Sequence, residues 1–122
     1  MEAATQELAL RYLLELSTDI RLALLVDDDG ELIAAAPERP ADRTLEICAD
    51  VVRETTALAG DGNTTPLELD VTLDGGAVFV VREGGPALLC VTGRFALPGL
   101  ILHDMRVVLD DLRRGATREP AQ

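Results

Sequence analysis

The chain has 122 residues, enough for one domain that buries its own core without disulfides or metal. Its 22 acidic residues against 11 basic give a net charge of −11, and aromatics make up 2%; nucleic acid or an anionic membrane would meet like charge and few stacking surfaces. Every basic residue is arginine, which excludes Schiff-base chemistry and a phosphate-gripping lysine. No apolar run reaches the roughly 18 residues a membrane span needs. No basic start followed by an apolar region and cleavage site opens the chain, so the expectation is a cytoplasmic protein without a signal peptide. Cys48 and Cys90 lie in apolar stretches, as buried reduced thiols do.

Over residues 2–16, Leu8, Tyr12, Leu13 and Leu16 recur at helical spacing, with Glu7, Arg11 and Glu15 on the other side. Ser17, Thr18 and Asp19 stop this helix. Residues 20–26 (I-R-L-A-L-L-V) follow as a strand apolar almost throughout, which points to cover on both faces. Asp27-Asp28-Asp29-Gly30 turns into a second strand over 31–36, ended by Pro37. Pro40 and Asp42 mark the start of a helix running to about residue 59, with Gly60 placed to cap it. That helix carries two apolar stripes. One is Ala41, Leu45, Cys48, Ala49, Val52 and Thr56; the other is Ile47, Val51 and Leu58, some 60 to 100° around the axis. One stripe docks a helix on a sheet, and two predict a second partner.

Residues 61–66 (D-G-N-T-T-P) read as a loop. Residues 67–73 (L-E-L-D-V-T-L) alternate apolar and polar strictly, so one face is buried and one is polar. Strands over 77–82 and 87–92 follow, joined by Asp74-Gly75-Gly76 and Glu83-Gly84-Gly85-Pro86. A last helix, about 98–114, has Leu100, Ile101, Met105, Val108, Leu109 and Leu112 on its apolar side, and Arg113, Arg114 and Gly115 at its end. The order is α-β-β-α-β-β-β-α. Strands apolar on both sides belong in the centre of a sheet, so the predicted order is 2-1-5-4-3, mostly antiparallel, within an α/β (α+β) sandwich of αβα layers. The half-polar third strand falls at an edge, where free amide and carbonyl groups invite pairing with another chain.

No catalytic set emerges. Asp27 to Gly30 would lack the first ligand of a calcium loop, and Gly60-Asp61-Gly62 follows a helix where a dinucleotide fingerprint must follow a strand. His103, the only histidine, has neither a thiolate set for zinc nor an evident nucleophile. Asp110 and Asp111 diverge by about 100° on a helix, and Glu68 and Asp70, on one side of a strand, read as solubilising charges. No catalytic residue, metal site or cofactor is expected.

The stretch A-L-L-V-D-D-D-G-E-L-I-A-A-A (residues 23–36), the helix of small and aliphatic residues after it, three strands and the ending L-P-G-L-I-L-H-D-M-R-V-V-L-D-D-L together resemble a Roadblock/dynein light-chain domain, most closely the short bacterial kind. The resemblance spans residues 2 to about 114, and the hairpin is its most specific part. It implies the profilin-like Roadblock sandwich over residues 1–115, with the tail 116–122 expected to be disordered. It also implies a homodimer in which third strands join into one sheet and middle helices lie side by side. The half-polar edge strand and the doubly striped helix agree with this, giving a dimer interface of Leu45, Ile47, Cys48, Val51, Val52, Leu58, Leu67, Leu69, Val71 and Leu73. The resemblance further implies a non-enzymatic platform for a small Ras-like GTPase or other signalling partner, meeting it on Arg43, Glu46, Asp50, Arg53 and Glu54. The longer C-terminal helical extension of bacterial GTPase-activating members has no counterpart here, so binding is implied and activation is not. An alternative is a profilin- or PAS-like sensor holding a small ligand in space left by Ala34, Ala35, Ala49 and Ala57.

Overall fold

The computed structural model describes residues 2–27, 30–59, 67–73, 75–82, 86–93 and 96–113, and the side chains of these except at 2–4, 55–59, 67, 69–73 and 113. The Gly60 cap, the 61–66 loop, the tips of the hairpin turns and the tail 116–122 lie outside the described residues. The elements are α1 (Glu2–Leu16), β1 (Ile20–Val26), β2 (Leu32–Ala36), α2 (Asp42–Ala59), β3 (Leu67–Leu73), β4 (Gly76–Arg82), β5 (Ala87–Thr92) and α3 (Pro98–Arg113). The strands form one sheet in the order β2-β1-β5-β4-β3, with every neighbouring pair antiparallel.

Side-chain polarity explains this order. Along β1, Ala23 and Leu25 point to one face and Leu24 and Val26 to the other, and all four are buried. Leu88 and Cys90 on β5 face one way, Ala87 and Leu89 the other, again all buried. Such strands are stable only where neighbours flank them and helices cover both faces. Phe79 and Val81 join the first core, Val78 and Val80 the second. The first core lies under α1 and α3, the second under α2.

On α1 the helix is rolled relative to the expected stripe. Of that stripe Leu13 reaches the core, joined by Leu10, while Leu8, Tyr12 and Leu16 are exposed. The correction has a physical cause: α1 has two apolar stripes, and Leu10 with Leu13 is the one that meets β1 and β2 as the chain turns back through Ser17. On α3, Ile101, Met105, Val108 and Leu109 are buried as their spacing predicts, but Leu100 is exposed. Among the described residues no helix is long and apolar enough to cross a membrane.

Cys48 and Cys90 are both free and buried, in different cores on opposite faces of the sheet. Burial pushes both thiols up, away from the reactive thiolate.

The first hairpin turn is held by Asp27. Its amide donates to the Glu31 carbonyl at 2.9 Å, and its carboxylate Oδ1 accepts from the Glu31 amide at 2.9 Å. Gly30 completes the turn at φ +87, and a Cβ there would come 3.2 Å from the Ala49 Cβ on α2. Replacing Gly30 with alanine is therefore expected to cost about 1–2 kcal/mol, since an L-residue is strained at this φ and crowds the helix. Urea unfolding reads it directly; an unchanged midpoint would mean the turn relaxes to another conformation.

Candidate protein–protein interface

Two surfaces that the sequence singles out lie on α2 and on β3. Helix α2 begins where the Leu45 amide bonds the Ala41 carbonyl at 3.1 Å, with Asp42 in its first turn, favourable at the positive end of the helix dipole. Pro40 thus precedes the helix. Cys48 and Val52 are 4% and 0% exposed, packed with Leu24, Val80 and Leu89 on the sheet. That corrects their placement in the dimer interface: side chains consumed by the chain's own core are not available to a second copy. Leu45 and Val51 are half-buried, and Ile47 is 52% exposed. Of the second stripe, Ile47 therefore stands out from the core, while Val51 packs partly against it. Leu58 lies outside the described side chains.

Arg43, Glu46, Asp50, Arg53 and Glu54 are all exposed on α2. Arg53 donates to Asp50 Oδ1 at 2.6 Å, and Arg39 approaches Asp42 at 3.9 Å. Both pairs are solvated and worth little to stability. Their effect is to fix a mosaic of both signs along the helix, which suits recognition of a protein surface better than capture of a simple ion.

β3 is an edge strand. It pairs with β4 along all seven residues, Leu67 opposite Arg82 through Leu73 opposite Gly76, and no described strand lies on its other side. Of the candidate interface residues here, Leu67, Leu69, Val71 and Leu73, only the backbone is described. Glu68 reaches the α3 side, where its carboxylate meets Arg106 at 2.8 Å; its companion Asp70 lies outside the described side chains.

The small-ligand alternative needs space between sheet and helix. A depression of about 330 Å³ opens beside the first hairpin turn and the start of α2, lined among others by Val26, Glu31, Leu32, Arg39 and Leu45. None of Ala34, Ala35 or Ala49 lines it, and Ala34 and Ala35 are buried. His103 is exposed on α3, away from both cysteines in the cores.

No protein-family model matches this chain, and no curated protein matches it in sequence. Solved structures do match in fold. MglB from Myxococcus xanthus superposes with a TM-score of 0.76 at 16% identity, covering 92% of this chain and 87% of that one. An MglB with tetrameric arrangement gives 0.73 at 22% identity, covering 93% and 88%. A Roadblock/LC7 domain from Streptomyces avermitilis gives 0.70 at 21% identity, covering 88% and 94%. The chain has the fold of Roadblock/LC7 domains along nearly its whole length.

Proposed function

We propose that this Roadblock-fold chain is a non-enzymatic, cytoplasmic, homodimeric scaffold that binds a small Ras-like GTPase. The observation that carries the reading is an imbalance in how the sheet is covered. Among the described residues, two helices lie on one face and α2 alone on the other, while β3 at the sheet's edge pairs with β4 and has no described strand on its outer side. Five strands span roughly 20 Å and one helix about 10 Å, so the α2 face has room for a second helix. A copy related by a two-fold axis would continue the sheet through β3 and lay its own α2 alongside. Ile47 and Val51 sit on the flank that such a helix would cover. Leu45 lies beside them, and Leu58 joins by its spacing; Leu67, Leu69, Val71 and Leu73 belong to the seam by the alternation of their strand. The similar MglB with tetrameric arrangement supports self-association as a use of this fold.

The GTPase is proposed from the Roadblock resemblance, and its surface is the charged side of α2: Arg43, Glu46, Asp50, Arg53 and Glu54. Light scattering at micromolar concentration tests the dimer, with a monomeric mass as the contrary result. Pull-down from the native host, scored for a GTPase, tests the partner, and the purified pair reports whether GTP hydrolysis changes. Reversing two charges in Glu46→Arg/Glu54→Arg is expected to weaken the complex about tenfold or more while leaving the dimer intact. Undiminished binding would move the partner off this helix.

A further inference from the structure

The other face of the molecule carries apolar surface that neither core nor the proposed seam uses. Leu8, Tyr12 and Leu16 are 63%, 52% and 41% exposed on α1. At spacings of four residues they form one ridge along the helix, roughly opposite the buried Leu10 and Leu13. On the adjoining α3, Leu100 and Val107 are also exposed. Singly exposed apolar residues are ordinary, but an aligned ridge of three with apolar neighbours on the next helix marks a contact surface.

The charges around the ridge indicate what covers it. Arg11 and Arg106, whose side chains are described, are turned to their own chain: Arg11 donates to the Pro37 carbonyl at 3.2 Å, and Arg106 pairs with Glu68. Glu7 and Glu15 stand exposed on α1, and Asp104 is half-buried on α3, with His103 exposed beside it. Among the described side chains the rim is therefore acidic, on a chain of net charge −11. A second copy would bring acid against acid, and an anionic lipid surface would be repelled. We infer that the outer face of α1, with the adjoining side of α3, docks an amphipathic helix of a partner protein whose apolar stripe is flanked by lysine or arginine. This mode reads apolar anchors at helical spacing in both helices, while the flanking charges set orientation and partner choice. The surface lies across the sheet from α2, so its fate is separate from that of the GTPase reading.

The probe is a synthetic amphipathic peptide of leucine and lysine, about 18 residues long so that a helix can form on binding, labelled for fluorescence anisotropy at roughly physiological salt. A scrambled peptide of the same composition carries the same charge without the stripe. The ordered peptide is expected to bind about tenfold tighter than the scrambled one, and Leu8→Gln/Tyr12→Ser to remove most of that difference. Ile47→Gln on α2 should leave it unchanged. Both ridge positions are exposed, so circular dichroism of the double variant should match the parent. Equal binding of the two peptides, indifference to the double variant, or an equal loss in Ile47→Gln would each overturn the assignment. So would a fall in solution mass on Leu8→Gln/Tyr12→Ser, which would show that another copy of this chain covers the ridge.

Discussion

Replacing Val71 with arginine is expected to convert the proposed dimer into a folded monomer. Val71 lies on the edge strand, opposite Val78 in the β3–β4 ladder and next to the strand's central residue, Asp70. Antiparallel pairing of two β3 strands about an axis near that centre brings the two copies of residue 71 within about 7 Å. The substitution then acts twice in each dimer. It removes apolar burial of about 1.5 kcal/mol per copy and sets two guanidinium groups together in a partly desolvated seam. A rise in the dimer dissociation constant of about 100-fold, near 3 kcal/mol, is the conservative expectation. Light scattering and sedimentation read the mass, and circular dichroism reads the fold. A folded Val71→Arg protein that still runs as a dimer would remove β3 from the seam. A Val71→Thr control, with similar shape and no charge, should stay dimeric.

Much of the architecture is legible because strand patterns report their neighbours. The continuous apolar runs at residues 20–26 and 87–91 require two covered faces, and these strands, β1 and β5, are inner ones, with β4 the third. The strict alternation at residues 67–73 requires one, and that strand is an edge. Helices are harder to read when apolar residues exceed one stripe. In α1 the apolar residues Leu8, Tyr12, Leu13 and Leu16 satisfy helical periodicity, as do Leu10 and Leu13, and the sheet selects the second pair. Periodicity gives the angle between two stripes; it does not say which one meets the core. The same ambiguity placed Cys48 and Val52 in an interface between copies when they belong to the core beneath α2. Ile47, about 100° away from Cys48, carries the surface half of that pattern. A signal for the error was present. Cys48 and Val52 are spaced i, i+4 on the stripe already assigned to docking, and one stripe cannot serve the sheet and a partner together.

Glycines show the limit from the other direction. In Asp74-Gly75-Gly76 the two glycines look interchangeable as turn formers, and their surroundings separate them completely. A Cβ on Gly75 would meet nothing within 4 Å. A Cβ on Gly76 would fall inside the carbonyl oxygen of Thr92 and 3.0 Å from that carbonyl's carbon. Gly76 opens β4, one residue before Ala77 pairs with Thr92 on β5. Nor can Thr92 easily yield: it is 1% exposed, its hydroxyl donates to the Gly93 carbonyl at 3.1 Å, and the Gly93 amide donates to the Asp19 carbonyl at 3.0 Å. The obstacle is backbone at the end of the inner strand β5, not the mobile end of a side chain. Gly76→Ala is therefore expected to force β4 away from β5 at this end, at a cost of about 3 kcal/mol, the upper part of the range for overpacking. In a domain of this size that lowers the melting temperature by on the order of 15 °C. Gly75→Ala should move it by no more than a degree or two, about the effect of an ordinary surface change. Calorimetry of the two variants side by side makes the comparison, and equal melting temperatures would mean that β4 and β5 are not held as closely there as the Thr92 contact requires.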